Sequence, residues 1–268
     1  MKIDDVRKIG IVGAGIMGHG IAQVCARTGF NVYLLDVNME ILEKALMLIR
    51  NGPFGLMKLV EKGKLTLDQV SDIMSRIKVT LSYDELCFEA DVIIEAVPED
   101  IDLKKKVFRI LDEKCPERTI LASNTSGIMI TDLASAVQRR DRFIGMHWFN
   151  PAPVMPLIEI VRGTLTSNET FNLIVELSKK LGKIPIEARD GPGFYTTRFI
   201  TAYLLEAVRI FEAGIAGIRE IDEMTKLAFH HPMGPFQLMD LIGLDTVYHI
   251  SKYLYSVLGE SQYKPPLT

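Results

Sequence analysis

Lys8-Ile9-Gly10-Ile11-Val12-Gly13-Ala14-Gly15-Ile16-Met17-Gly18 decides the fold. Its apolar, β-branched start, residues 8–12, reads as a strand, and residues 17–27 carry apolar side chains at helical spacing before closing near Gly29. Between them stands Gly-x-Gly-x-x-Gly. A strand, this glycine string and a helix in succession make the context of a dinucleotide-binding turn. Gly13 permits the tight turn, Gly15 lets the backbone approach a pyrophosphate, and Gly18 lets helix and strand pack closely. Ala14, Ile16 and Met17 complete the string at the opening of the helix, whose free amides and positive dipole end suit phosphates. The plainer alternative is a glycine-rich turn with no ligand, which the string alone does not dispose of.

Outward from this turn, residues 31–35 read as a second strand ending on Asp36. A carboxylate there accepts hydrogen bonds from a ribose 2′-OH and repels a 2′-phosphate, and Val37 and Asn38 follow instead of an arginine. The expected cofactor is NAD rather than NADP. Asp36 as a simple cap for the next helix is the competing reading. Strand and helix patterns then alternate. Residues 41–49 and 65–77 look helical, joined by a glycine- and lysine-rich bend at 51–64. Residues 91–97 are a strand and 102–115 a helix. Further strands are expected at 120–122, 143–146, 157–160 and 184–186, with a helix at 170–181. This is an α/β protein with a Rossmann-type, mostly parallel sheet. After Asp190-Gly191-Pro192-Gly193 everything reads as helix, at 195–213, 218–227, 234–242 and 244–258. The expected division is an NAD-binding domain over 1–188, carrying the catalytic His/Glu, and an all-helical domain over 189–268 for substrate cleft and dimerisation. The second part is too apolar to face water on all sides, so a homodimer is expected.

Composition narrows the function. Over 268 residues the apolar fraction is 48% and the charged fraction 24%, which is globular, and a net charge of −3 offers nucleic acid no basic field. Cys25, Cys87 and Cys115 are far apart, without a CxxC pair or a histidine at ligand spacing, so neither a disulfide framework nor a metal site is expected, and a reducing cytoplasm fits. No secretory signal opens the chain, and no stretch of ~18 apolar residues reads as a membrane span.

Three segments carry polar groups suited to chemistry. Ala122-Ser123-Asn124-Thr125-Ser126 follows one strand, His147-Trp148-Phe149-Asn150-Pro151 another, and Glu159 lies among Leu157, Ile158, Ile160 and Val161. A histidine backed by a carboxylate is a workable general base for an alcohol, and a carboxylate in apolar company needs a partner. Taken alone, His147 reads more readily as a structural histidine.

With these motifs in order, the sequence resembles the 3-hydroxyacyl-CoA dehydrogenase family over essentially its whole length. The resemblance rests on Gly13 to Gly18, Asp36, Glu95-Ala96-Val97-Pro98-Glu99, the Ser123 and His147 segments, Asp190-Gly191-Pro192-Gly193-Phe194, Gly234-Pro235-Phe236, Asp240 and Gly243-Leu244-Asp245. It implies reversible oxidation of a (3S)-3-hydroxyacyl-CoA to the 3-ketoacyl-CoA, with NAD as cofactor and no metal. By the same resemblance His147 is the base, Glu159 its carboxylate partner, and Ser126 a contact for substrate and cofactor. Glu99, Lys104 and Asn150 contact the nicotinamide half of NAD or order the loops around it; solvated helix-start charges and a turn former are their bland alternatives. Lys62 matches a CoA-contacting lysine, and a solvated helix end describes it equally well.

Two positions depart from the family pattern. Gly55 stands where a serine for CoA is common, and Thr197 stands where an asparagine faces the substrate. Threonine keeps a hydroxyl and loses reach. Relatives also continue past Pro265-Pro266-Leu267-Thr268 into a glycine-rich segment with a lysine near the cofactor. Two other readings compete: a dehydrogenase of a hydroxy acid that carries no CoA, on the same scaffold, and a non-catalytic NAD-binding structural protein.

Overall fold

The computed structural model describes residues 1–267. Eight strands form one sheet: β1 (Lys8–Val12), β2 (Asn31–Leu35), β3 (Ile77–Thr80), β4 (Val92–Glu95), β5 (Ile120–Ser123), β6 (Phe143–Trp148), β7 (Leu157–Arg162) and β8 (Ile184–Arg189). Twelve helices accompany them among the described residues: α1 (Ile16–Arg27), α2 (Met39–Asn51), α3 (Leu56–Glu61), α4 (Leu67–Ser75), α5 (Tyr83–Cys87), α6 (Ile101–Lys114), α7 (Ile130–Ala134), α8 (Asn168–Lys180), α9 (Thr196–Glu212), α10 (Ile218–Phe229), α11 (Pro235–Ile242) and α12 (Leu244–Leu258). The strand order is β3-β2-β1-β4-β5-β6-β7-β8. Every neighbouring pair is parallel except β6 and β7. The order reverses between β1 and β4, and such a switch point leaves a crevice at the strands' carboxyl ends.

Parallel strands covered on both faces are apolar throughout, and β1, β4 and β5 are buried at every position. Side-chain caps start several of the helices of the first unit. Asn38 Oδ1 accepts the Ile41 N–H (3.1 Å) at α2, Asp100 Oδ1 the Leu103 N–H (2.8 Å) at α6, and Ser167 Oγ the Thr170 N–H (3.1 Å) at α8. Asn38 is therefore the cap of α2, which removes the capping role that competed for Asp36.

The structure corrects several expected spans. The helix read at 65–77 stops at Ser75, and Ile77-Lys78-Val79-Thr80 is instead the edge strand β3, pairing Val32↔Ile77 to Leu35↔Thr80. Four residues with two apolar positions are too few to separate a strand from the end of a helix by periodicity. The bend at 51–64 contains α3, and α5 and α7 are short helices with no periodic signature. The strand read at 91–97 is trimmed to Val92–Glu95, and residues beyond it form a loop.

Two compact units result: Met1–Asp190, and Gly191 onward. Asp190 closes the first. Its carboxylate accepts the N–H of Ile130 (2.8 Å) and of Thr131 (2.8 Å) and the Thr131 hydroxyl (2.5 Å), capping α7 from across the unit. In the second, Leu204, Met239 and Val247 form the buried centre. Buried Asp222 of α10 accepts the Phe236 N–H at 2.8 Å, which explains the Gly234-Pro235-Phe236 start of α11.

Candidate active site

A cleft of about 880 Å³ opens where β1, β2, β4 and β5 end, lined by Gly13, Gly15, Ile16, Met17, Asp36, Glu99 and Ser126 among others. A Cβ at Gly13 would press on the Ala96 carbonyl at 2.6 Å, and one at Gly18 would collide with the Gly13 carbonyl, so both glycines are fixed by backbone packing. At Gly15 an added Cβ meets nothing within 4 Å: the turn leaves open space at that backbone. Ala14 is buried, and its N–H is held by Asp36 Oδ2 at 2.7 Å, while Asp36 Oδ1 accepts the Val37 N–H at 2.6 Å. Asp36 thus ties the glycine turn to the end of β2 and still lines the cleft. Open backbone at Gly15, donors at the start of α1 and a carboxylate at the second strand's end together fit an NAD pyrophosphate and ribose.

Beneath this cleft runs a buried polar network. Glu95, fully buried at the end of β4, accepts from Ser123 Oγ (2.6 Å), Lys104 Nζ (2.7 Å) and the Val97 N–H (2.7 Å). Lys104 also donates to the Val97 carbonyl (3.1 Å) and pairs with Glu99 (3.3 Å). Burial alone would lower the Lys104 ammonium, but the two carboxylates outweigh it and hold its pKa above the usual lysine value. Glu99 Oε1 in turn accepts the Thr125 hydroxyl (2.5 Å) and the N–H groups of Ser126 (2.9 Å) and Gly127 (3.2 Å). Lys104 is 1% exposed and lies under the 96–100 loop, a placement suited to ordering that loop. Neither it nor Glu99 is a freely solvated helix-start charge.

His147 and Glu159 face each other across the antiparallel β6/β7 pair as direct register partners. His147 Nδ1 lies 2.7 Å from Glu159 Oε2, and both residues are buried. The Phe149 ring tilts against the imidazole, centroids 4.4 Å apart. Asn124, which lines the cleft, accepts the Trp148 N–H at 2.8 Å and so ties the cleft wall to the strand that carries His147. Asn150 is exposed in the turn after β6. Lys62 is exposed at the end of α3, while Lys58 is engaged by Glu61 at 2.8 Å. Thr197 is buried in the first turn of α9.

The family profile "3-hydroxyacyl-CoA dehydrogenase, NAD binding domain" matches residues 8–191, and "3-hydroxyacyl-CoA dehydrogenase, C-terminal domain" matches residues 193–268. The chain belongs to the 3-hydroxyacyl-CoA dehydrogenase family. It is 44% identical to 3-hydroxybutyryl-CoA dehydrogenase of Clostridioides difficile over 96% of this chain and 90% of that one. It is 41% identical to the mitochondrial hydroxyacyl-coenzyme A dehydrogenase of Homo sapiens over 90% and 77% of the two chains. Among solved structures, (S)-3-hydroxybutyryl-CoA dehydrogenase of Ralstonia eutropha superimposes with a TM-score of 0.92 at 43% identity, covering 97% of this chain and 90% of that one. NAD is the cofactor of this dehydrogenase, as Asp36 implied. Sequence reasoning missed Asn124, Tyr83 and Lys106 as cleft lining and Glu95 as the centre of the buried network. Asn124 stood inside a quoted motif. Tyr83 lies on α5, which has no periodic signal.

Proposed function

We propose that this dehydrogenase interconverts a (3S)-3-hydroxyacyl-CoA and the 3-ketoacyl-CoA, with His147 as the base and Glu159 as its partner. The observation that carries the proposal is the buried 2.7 Å contact between His147 Nδ1 and Glu159. With Nδ1–H donated to the carboxylate, Nε2 is the basic nitrogen, and it accepts the proton of the 3-hydroxyl. Glu159 fixes the ring and stabilises the imidazolium that follows, which is worth more in a dry site than in water. Bound NAD supplies the hydride acceptor. In the reductive direction the imidazolium returns its proton to the oxygen at C3. Ser126, held by Glu99 through its backbone, presents a hydroxyl to substrate and cofactor. Asn150 contacts the nicotinamide side, Lys62 the CoA phosphates, and Thr197 the acyl group.

Oxidation of NADH with acetoacetyl-CoA and longer 3-ketoacyl-CoA substrates, set against free 3-keto acids, tests the reading. Turnover confined to the free acids overturns it. Thr197→Val should lower turnover and Thr197→Asn should shift chain-length preference; equal activity of Thr197→Val on every acyl-CoA removes Thr197 from the substrate. The helical unit exposes Leu227, Phe229, Leu241 and Leu244, which supports a homodimer through that unit. No helix among the described residues is long and apolar enough to cross a membrane. Cys25, Cys87 and Cys115 are buried free thiols, in keeping with a reducing cytoplasm.

A further inference from the structure

Lys183 lies in the bend between α8 and β8 and belongs to none of the motifs above. It is buried, at 8% exposure. Its Nζ donates to the carbonyls of Ala152 (2.6 Å) and Met155 (2.7 Å) and stands 5.5 Å from the centre of the Trp148 ring. Next to it, the Ile184 N–H donates to the Pro156 carbonyl at 2.8 Å. The irregular segment 152–156 thus hangs from 183–184. A buried ammonium is costly unless its hydrogens are used, and here two go to carbonyls while the third side of the cation meets an aromatic face.

The held segment is the turn that leaves β6 directly after His147 and Trp148. Its other side rests on α1, the helix of the glycine turn: a Cβ at Gly20 would stand 3.1 Å from Pro153 Cδ and 3.2 Å from Ala152 Cβ. The turn therefore touches the helix that opens at the pyrophosphate turn and follows the strand that bears the base. Asn150 lies within it.

We infer that Lys183 is a positioning residue: by holding Ala152 and Met155 it sets the 149–156 turn, and with it the fit of the nicotinamide half of NAD beside His147. The inference rests on the reading of His147 as the base. Burial pushes the Lys183 ammonium down to about 8; the positive charge of Arg27 adds to this and the Cys25 thiol opposes it. Arg27 and Cys25, both on α1, are the ionisable groups that act on it. The two carbonyls and the Trp148 face favour the charged form. The clamp is fully charged below that pH and loses a hydrogen above it.

The test compares wild type, Lys183→Met and Lys183→Arg by fluorescence titration with NADH and by steady-state kinetics with acetoacetyl-CoA, from below to above pH 8. Lys183→Met should raise both the NADH Kd and its KM by about tenfold, since small misplacements near a reacting centre cost that much or more. In the wild type the KM for NADH should rise as the pH passes 8. Lys183→Arg should stay near wild type at neutral pH and lack that rise, because arginine keeps its charge. A Lys183→Met enzyme with unaltered NADH Kd and KM overturns the inference. So does a Lys183→Arg enzyme that shows the wild-type alkaline rise, and this comparison decides alone should Lys183→Met not fold. His147→Gln in the same titration keeps the two readings apart. If it turns over normally, the role of His147 fails, while the NADH affinity of the Lys183 variants still reports on the clamp.

Discussion

His147 without Glu159 would be an imidazole of undefined tautomer in a buried place. On the proposed reading, the carboxylate at 2.7 Å sets which nitrogen carries the proton, and the two residues act as one device. His147→Gln should lose ~10²- to 10⁴-fold in turnover while NAD still binds, the usual worth of general base catalysis. Glu159→Gln should cost nearly as much, and the double variant little more than His147→Gln alone. Additive losses in that cycle would show that the pair does not work as a unit. Asp36, proposed to hold the ribose, has a second task that its sequence position did not announce: it accepts the Ala14 N–H. Asp36→Ala should erase the preference for NAD over NADP and also lower stability by ~1–3 kcal/mol, the cost of a backbone donor left unpaired. Asp36→Asn, which keeps an acceptor, should recover most of the stability and little of the discrimination. Equal use of both cofactors by the wild type would refute the assignment. His147 and the glycines stood out in the sequence because each sits in a named string, and Glu159 because it is a carboxylate within an apolar strand. The burial of Lys104, the central place of Glu95 and the clamp at Lys183 were not legible, since a buried lysine looks like a surface lysine until the chain folds its partners around it.

At the scale of elements, the glycine turn and the long amphipathic helices could be read directly from spacing. The edge strand β3 and the short helices α3, α5 and α7 could not, because four to six residues carry too little periodicity. Gly55 shows what an element can impose on a site. It caps α3 at the end of a tight turn in which its N–H donates to the Gly52 carbonyl at 2.9 Å. A Cβ there would stand 2.8 Å from Gly52 N and 2.9 Å from the Arg50 carbonyl carbon and oxygen. These are backbone atoms, so the neighbourhood cannot yield as a flexible side chain would. Restoring the family's serine is thus no simple gain. Gly55→Ser should lower the thermal midpoint, and with it any benefit to CoA affinity should fail to appear. A variant that is both as stable as wild type and tighter for acyl-CoA would show that this turn moves aside.

For the whole molecule, the division into an α/β unit and a helical unit was legible from the change of pattern near the Asp190-Gly191-Pro192-Gly193 loop, since one kind of period gives way to another there. The partner of the helical unit's exposed apolar side chains was not legible in the same way. Leu227 and Phe229 are 76% and 68% exposed, a costly arrangement for an isolated chain in water. Sedimentation or light scattering at micromolar concentration should therefore give twice the 30.1 kDa chain mass. Leu227→Asp combined with Phe229→Asp should shift it toward a monomer with the α/β unit still folded. A wild-type monomer would remove the proposed dimer for this chain.

The antiparallel join between β6 and β7 has a bearing on how such enzymes are found in genomes. His147 meets Glu159 because they are opposite one another in a ladder, and the turn at 149–156 lies outside that ladder. A turn lengthened by insertion would leave the dyad intact, whereas one residue added within β6 would send the imidazole to the other face of the sheet. A text pattern that demands eleven residues between the histidine and the glutamate passes over every chain of the first kind and accepts some of the second. What descends through such a lineage is an alignment of two strands, and a search built on that pairing would recover the chemistry where a fixed-gap motif loses it.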